Sequence, residues 1–310
     1  MKTLLSIFSI SLSLLVFSQI EEEWTFEVDS ISVSGTLLTP SKDFRGPVVL
    51  FFSGSGVTDR NGNTGAQFQN NSLKMLAEAL VDEGLASFRF DKRSIPLIAA
   101  GRVSSDMSFD YFVDDGITWL TRLKSDGRFD TFFVLGHSQG STVGALVARD
   151  SSISKFISVA GPARPADEVI YSQLEAQSPL LASLAKPKLD SIKAGYQVAE
   201  ANAPLHSLFK KENQPFMSSW FNYDPKEIMT GLNKPVLIVN GTTDFQVSVI
   251  EAEALNASVG GSNLLIIEGM NHVLKDAPKD RMLNMAAYSD PNRALSDGLV
   301  DGIVNFLAEK

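Results

Sequence analysis

The chain has no cysteine in 310 residues. That one absence excludes disulfides, thiolate metal sites and a cysteine nucleophile. It also leaves no thiol to carry a lipid anchor. Histidine is nearly as scarce. His137, His206 and His272 are all there are, so any step that needs an imidazole has three candidates. Positive charge is in deficit: 27 Lys and Arg stand against 36 Asp and Glu, a net charge of −9. A nucleic-acid partner is therefore not expected, because phosphate binding needs a basic face. No internal repeat or low-complexity tract is present. What is left, 44% hydrophobic and 20% charged, is the composition of an ordinary globular protein. The length suits one large domain or two small ones.

The only long apolar run opens the chain. Lys2 is followed by Leu4 to Phe17, interrupted only by serines, with Val16-Phe17-Ser18 before Gln19. This reads as a cleavable secretory signal over residues 1–18, too short and poorly flanked for a membrane span. The expected location is periplasmic or secreted, with no membrane span in the mature chain.

Beyond it, Trp24–Val28 and Ile31–Leu37 alternate with period two, as in an antiparallel hairpin at a sheet edge. Pro47–Phe52, Ala86–Phe90, Thr131–Leu135, Lys155–Ala160, Pro235–Val239 and Asn263–Ile267 are continuous apolar or mixed runs. Helical patterns lie between most of them: from Leu73 to Gly84, from Asp110 to Leu123, from Val143 to Arg149 and over Val249–Ala257. A last helix is expected over Leu295–Ala308, and Asp91 to Ser108 reads as a loop. Alternating strands and helices with apolar strands predict a mostly parallel sheet wrapped by helices on both faces, an α/β fold. The rhythm breaks at Pro162. From there to Leu232 only helix-prone segments occur (Ala166–Ala176, Leu180–Leu184, Leu189–Glu200), far more chain than an ordinary connection needs. Residues 162–232 are expected to form a helical cap inserted into a core of residues 19–161 and 233–310. The cap aromatics Phe209, Phe216, Trp220, Phe221 and Tyr223 fit a core of its own better than an acyl pocket.

At one strand end the sequence reads Gly136-His137-Ser138-Gln139-Gly140, with helix formers directly after it. Strand, Gly-x-Ser-x-Gly turn and helix together are the context of a nucleophile elbow. Ligands of open α/β sheets gather at the carboxyl ends of the strands. Two later strands end in Asn240-Gly241-Thr242-Thr243-Asp244 and Glu268-Gly269-Met270-Asn271-His272. A serine hydroxyl needs a base to take its proton as it attacks, and the base needs a carboxylate to orient it. His137 is excluded as base by its adjacency to the serine, and His206 by its place in the cap. That leaves His272. Asp244 is preferred as its partner over Glu268, which is too near His272 in sequence, and over Asp224, which is off the sheet. The expected oxyanion donors are the backbone N–H groups of Gln139, at the helix start, and Ser55, in the loop Gly54-Ser55-Gly56. A phosphate-binding role for that loop is disfavoured by the missing lysine and spacing.

The order of these segments resembles bacterial α/β-hydrolase carboxylesterases near the serine aminopeptidase and acetyl xylan esterase branches. The resemblance is carried by Gly54-Ser55-Gly56-Val57-Thr58-Asp59-Arg60-Asn61-Gly62-Asn63, Arg89-Phe90-Asp91-Lys92-Arg93, the elbow, Ala160-Gly161-Pro162-Ala163-Arg164-Pro165, Gly241–Val247 and Gly269–Val273. It implies the α/β-hydrolase fold, hydrolysis of short acyl esters, no cofactor and no metal, and a triad of Ser138, Asp244 and His272. Two departures stand out: Val57 where the pattern has proline, and Ser94-Ile95-Pro96-Leu97 where it has Gly-x-Gly-x-Ser. Asp59 and Arg60 are expected to pair with each other and hold the oxyanion loop; Arg60 binding a substrate carboxylate is the alternative. A peptidase or amidase with the same triad is the runner-up activity, and a non-catalytic binding protein on this scaffold the remaining one. Oligomeric state is not legible.

Overall fold

The computed structural model describes residues 19–102, 107–201 and 203–309. The expected signal segment, 1–18, lies outside them. The chain enters through a hairpin, β1 (Ile20–Val28) and β2 (Ile31–Thr39), paired in register from Ile20↔Thr39 to Val28↔Ile31. Its two turn residues, Asp29 and Ser30, both have positive φ, 50° and 60°, the backbone of the tight turn that matches strand twist. Strand β3 (Gly46–Phe52) leads to α1 (Ser72–Asp82), and β4 (Ala86–Phe90) to α2 (Ser94–Ala99) and α3 (Asp110–Asp126). Strand β5 (Phe129–His137) runs into α4 (Gln139–Val147), and β6 (Ile153–Val159) follows. Four helices come next: α5 (Ala166–Gln177), α6 (Pro179–Lys193), α7 (Gln214–Trp220) and α8 (Pro225–Thr230). The chain closes with β7 (Val236–Gly241), α9 (Val249–Ser258), β8 (Asn263–Ile267), α10 (Arg281–Met285) and α11 (Leu299–Ala308).

The strands form one eight-stranded sheet in the order β1-β2-β4-β3-β5-β6-β7-β8, parallel from β4 to β8 and antiparallel at β1 and β2. Because side chains alternate along a strand, each central strand feeds two cores. Val48, Leu50, Phe52 and Val134 join Trp119, Leu123 and Val147 from α3 and α4. Val49, Phe51, Phe133 and Leu135 join Leu73, Leu76 and Leu80 of α1 with Ile303 and Phe306 of α11. Double-sided burial explains the unbroken apolar runs in the sequence.

Helices α5 to α7 pack around a third cluster that includes Ala185, Leu189, Ile192, Phe209, Met217 and Phe221. Phe209 and Phe221 are thus core residues of this segment, whereas Phe216 and Trp220 are only partly buried. The structure departs from the sequence reading in three places. Ser94–Ala99 is helical, not loop. Helix α6 runs unbroken through Pro187, which lies on its exposed side, while Ala182, Ala185, Leu189 and Ile192 form the buried stripe. Burial of that stripe offsets the hydrogen bond a mid-helix proline removes. The helix-prone run expected over Leu189–Glu200 ends at Lys193.

Candidate active site

Strand β5 ends at His137, and the next residue turns sharply. Ser138 has φ 55° and ψ −122°, a conformation that non-glycine residues adopt only when the surroundings impose it. Here they do. The Ser138 N–H donates to the Val159 carbonyl at 2.9 Å. A Cβ at Gly136 would lie 2.2 Å from the Gly140 carbonyl oxygen, and one at Gly140 would lie 2.3 Å from the Phe52 carbonyl oxygen. Only glycine on both flanks lets the helix fold back over the strand and present Ser138 at the sheet's carboxyl edge.

The next two candidates come from the ends of β7 and β8. Asp244 spends one carboxylate oxygen locally: Oδ1 accepts from the backbone N–H groups of Gln246 and Val247, at 2.8 and 2.9 Å. Its Oδ2 is left for His272, whose Nδ1 lies 2.7 Å away. Both side chains are buried, so the carboxylate fixes the tautomer that carries its proton on Nδ1 and leaves the Nε2 lone pair free. The two rival acids are elsewhere. Asp224 caps α8 through the N–H groups of Lys226 and Glu227, and Glu268 is exposed. His206 is exposed, with Nδ1 3.3 Å from the Ala201 carbonyl. Ser138 and His272 line one cleft of about 330 Å³, together with Gly54, Ser55, Gln246 and Tyr288.

His137 does more than fill space. Its Nε2–H donates to the backbone carbonyl of His272 at 2.8 Å, and the two rings stand 4.9 Å apart. Burial, helped by the neighbouring His272, pushes its pKa down to about 3. His137 is therefore a neutral donor that pins the loop bearing His272. The sequence offered no signal for this beyond its place beside Ser138.

The loop after β3 approaches the elbow closely: a Cβ at Gly54 would sit 3.5 Å from the Ser138 Cβ. Among the described residues, the N–H groups of Ser55 and Gln139 have no hydrogen-bond partner. Gln139 opens α4, so its N–H belongs to the free first turn and the positive end of the helix dipole. The sequence reading did not single out Lys92, which governs this loop. Its buried Nζ donates to the carbonyls of both Gly54 and Gly56, the latter at 2.7 Å. In a trans peptide the N–H points opposite to the C=O. A grip on the Gly54 carbonyl thus turns the Ser55 N–H away from Lys92. Burial lowers the Lys92 pKa to about 7.

Asp59 and Arg60 do not pair with each other, contrary to expectation. The Asp59 Oδ1 accepts from the N–H groups of Asn61 and Asn63 at 2.8 and 2.9 Å, closing the loop on itself. Arg60 instead grips Asp91, with Nη2 2.9 Å from Oδ2, and also reaches Glu23. Both roles are structural, and the Asp91 bond joins this loop to the segment that carries Lys92. Among the described residues no group of three or more His, Cys, Asp or Glu side chains could hold a metal ion. No helix among them is long and apolar enough to cross a membrane.

No family model matches the chain. It is 24% identical over 294 residues to esterase EstD of Thermotoga maritima, a match that takes in 89% of this chain. The chain spans 65% of the length of that curated relative. Among solved structures, Est1E from Butyrivibrio proteoclasticus superposes with a TM-score of 0.58 at 15% identity, covering 93% of this chain and 99% of the other. The alpha/beta hydrolase GrgF from Penicillium sp. sh18 superposes with a TM-score of 0.53 at 15% identity, covering 92% and 96%. This chain has the α/β-hydrolase fold. In that frame the elbow after β5, the acid after β7 and the histidine after β8 stand in the order Ser, Asp, His along the chain.

Proposed function

We propose that this α/β-hydrolase is an exported serine esterase that cleaves carboxylic esters through an acyl-enzyme. The observation that carries the reading is the 2.7 Å contact between His272 and Asp244 beside a strained Ser138 in a shared cleft. Likeness to an esterase of 24% identity supports it.

In the first half-reaction the Ser138 hydroxyl oxygen attacks the ester carbonyl carbon, and its proton passes to His272 Nε2. The carbonyl oxygen becomes an oxyanion between the N–H groups of Gln139 and Ser55. Collapse breaks the bond to the alcohol oxygen, which takes the proton from His272 and leaves. In the second half-reaction water attacks the acyl-Ser138 carbon and gives its proton to His272. Collapse then returns that proton to the Ser138 oxygen and releases the acid. Asp244 stays ionised throughout and stabilises the imidazolium formed in each half.

Short esters such as p-nitrophenyl acetate and butyrate should turn over, and Ser138→Ala should abolish their hydrolysis. Turnover by Ser138→Ala above the buffer rate would defeat the assignment. An amide counterpart, an aminoacyl anilide, serves as the comparison: faster cleavage of the anilide than of the ester would move the enzyme to the peptidases. Export rests on residues 1–18 and is tested by sequencing the N-terminus of protein recovered outside the cytoplasm, which should begin near Gln19.

A further inference from the structure

A second compartment of about 430 Å³ is lined by neither Ser138 nor His272. Gln139 forms part of its wall, as do Gly56 and Val57, next in the chain to Ser55. The rest comes from α2, α3, the helices between β6 and β7 and the loops beside them, and includes Leu97, Ile98, Phe112, Phe216 and Trp220, with Arg102 and Glu212 as its charged residues. It is mostly apolar. The cleft that holds Ser138 and His272 is more mixed: Thr64, Asn70, Gln173, Gln177, Arg281 and Tyr288 face it beside Phe68, Phe245, Val273 and Met285.

The chemistry of the triad tells the two apart. The alcohol oxygen must take its proton from His272 Nε2, so the alcohol lies on the His272 side of the tetrahedral carbon. The oxyanion occupies the N–H groups of Gln139 and Ser55. The acyl chain is left with the direction past Gln139 and Gly56, away from His272. Resting on the triad proposed above, we infer that the enzyme prefers esters joining an apolar acyl group longer than butyryl to a polar, hydroxyl-bearing alcohol. The acyl group occupies the compartment lined by Phe216 and Trp220, and the alcohol the cleft beside His272, where Asn70, Gln173, Gln177 and Arg281 can meet its hydroxyls.

Val57, Ser94 and Leu97 all line the acyl compartment. Folding of Ser94–Ala99 into α2 sets Leu97 and Ile98 against it.

The test is a matched series of p-nitrophenyl esters from acetate to octanoate on the intact protein, with ethyl and glyceryl octanoate as the alcohol pair. Each methylene moved from water to an apolar wall contributes roughly fourfold. We expect kcat/KM to rise at least about tenfold from acetate to octanoate and glyceryl octanoate to be cleaved faster than ethyl octanoate. Val57 and Ile98 are 43% and 49% exposed, so Val57→Trp and Ile98→Trp should fold, and each should lower the octanoate-to-acetate ratio about tenfold. A preference for acetate or butyrate, ratios untouched by both tryptophans, or faster cleavage of the ethyl ester each overturns this substrate class while leaving the esterase intact. If no ester shows Ser138-dependent hydrolysis, the esterase reading falls and this one with it.

Discussion

Lys92 is buried beside the loop that faces Ser138, and its ammonium bonds to backbone carbonyls rather than to a carboxylate. Its ammonium is buried against two carbonyls, and the nearest acid in sequence, Asp91, is engaged by Arg60. Burial brings its pKa down to about 7. Above that pH the folded chain gives up the proton, whereas the unfolded chain keeps it until near 10.5. The unfolded state then binds more protons, so unfolding free energy rises with pH across this window. Lys92→Met removes the term. Denaturant unfolding at pH 6 and pH 9 should show the wild type gaining stability relative to Lys92→Met, and parallel behaviour of the two would count against a buried, titrating lysine. The same variant frees the oxyanion loop. Loss of a whole oxyanion donor lowers kcat about 10²–10³-fold, so loss of its orientation should lower kcat about tenfold with KM little changed. His137 acts on the other side of the site. Its pKa of about 3 lies below the ordinary 6.5, so the wild type should lose stability as pH falls below about 6.5, when only the unfolded chain takes up that proton. His137→Phe removes both this sensitivity and the bond to the His272 carbonyl. A hydrogen bond of about 1 kcal/mol predicts a roughly fivefold loss of kcat, part of which His137→Gln should restore by keeping an N–H donor.

At the scale of elements, the strand–elbow–helix unit tolerates no side chain on its flanks. Gly140→Ala would drive a methyl to 2.3 Å from the Phe52 carbonyl oxygen, backbone that cannot swing aside. Overpacking of this kind costs about 1–3 kcal/mol or more, and a drop of that size in unfolding free energy is the expected result. A milder change at the solvated Gly56, where an added Cβ meets nothing within 4 Å but φ is 71°, should cost less. The elbow could be read from the sequence because its glycines, serine and helix formers are consecutive and each is needed locally. The meeting of Asp244 and His272 could be expected because each follows a strand of mostly apolar sequence. Lys92 could not, since its partners are backbone carbonyls 36 and 38 positions away, and carbonyls leave no mark on a sequence. Nor could the partner of Arg60. Asp59 is adjacent, but its carboxylate is consumed by the turn at Asn61 and Asn63. The buried pair of Arg93 and Asp115, 2.6 Å apart, joins the end of β4 to α3 in the same unannounced way. Asp115→Ala leaves the guanidinium buried with the exposed Asp29 as its remaining ion-pair partner and should destabilise the fold by about 3–5 kcal/mol.

Across the whole molecule, the distribution of buried surface sets the order in which parts open. The sheet is gripped from both faces by two large clusters, and β3, β5 and β6 lie in its middle with neighbours on both sides. Helices α5 to α7 surround a smaller cluster of their own. Regions with fewer buried contacts open at lower free energy and as cooperative units. Native-state hydrogen exchange should therefore show the slowest amides in β3, β5 and β6, while α5 to α7 exchange faster and with a shared opening energy. The edge strands β1 and β8 should also exchange faster than the centre. This matters for function because the helical segment supplies Phe216 and Trp220 to the acyl compartment, whereas the elbow belongs to the sheet. A fold built this way can move the wall of the proposed acyl compartment without disturbing Ser138. Protection of α5 to α7 equal to that of β5 would show the segment and the sheet to open as one unit and would remove that independence.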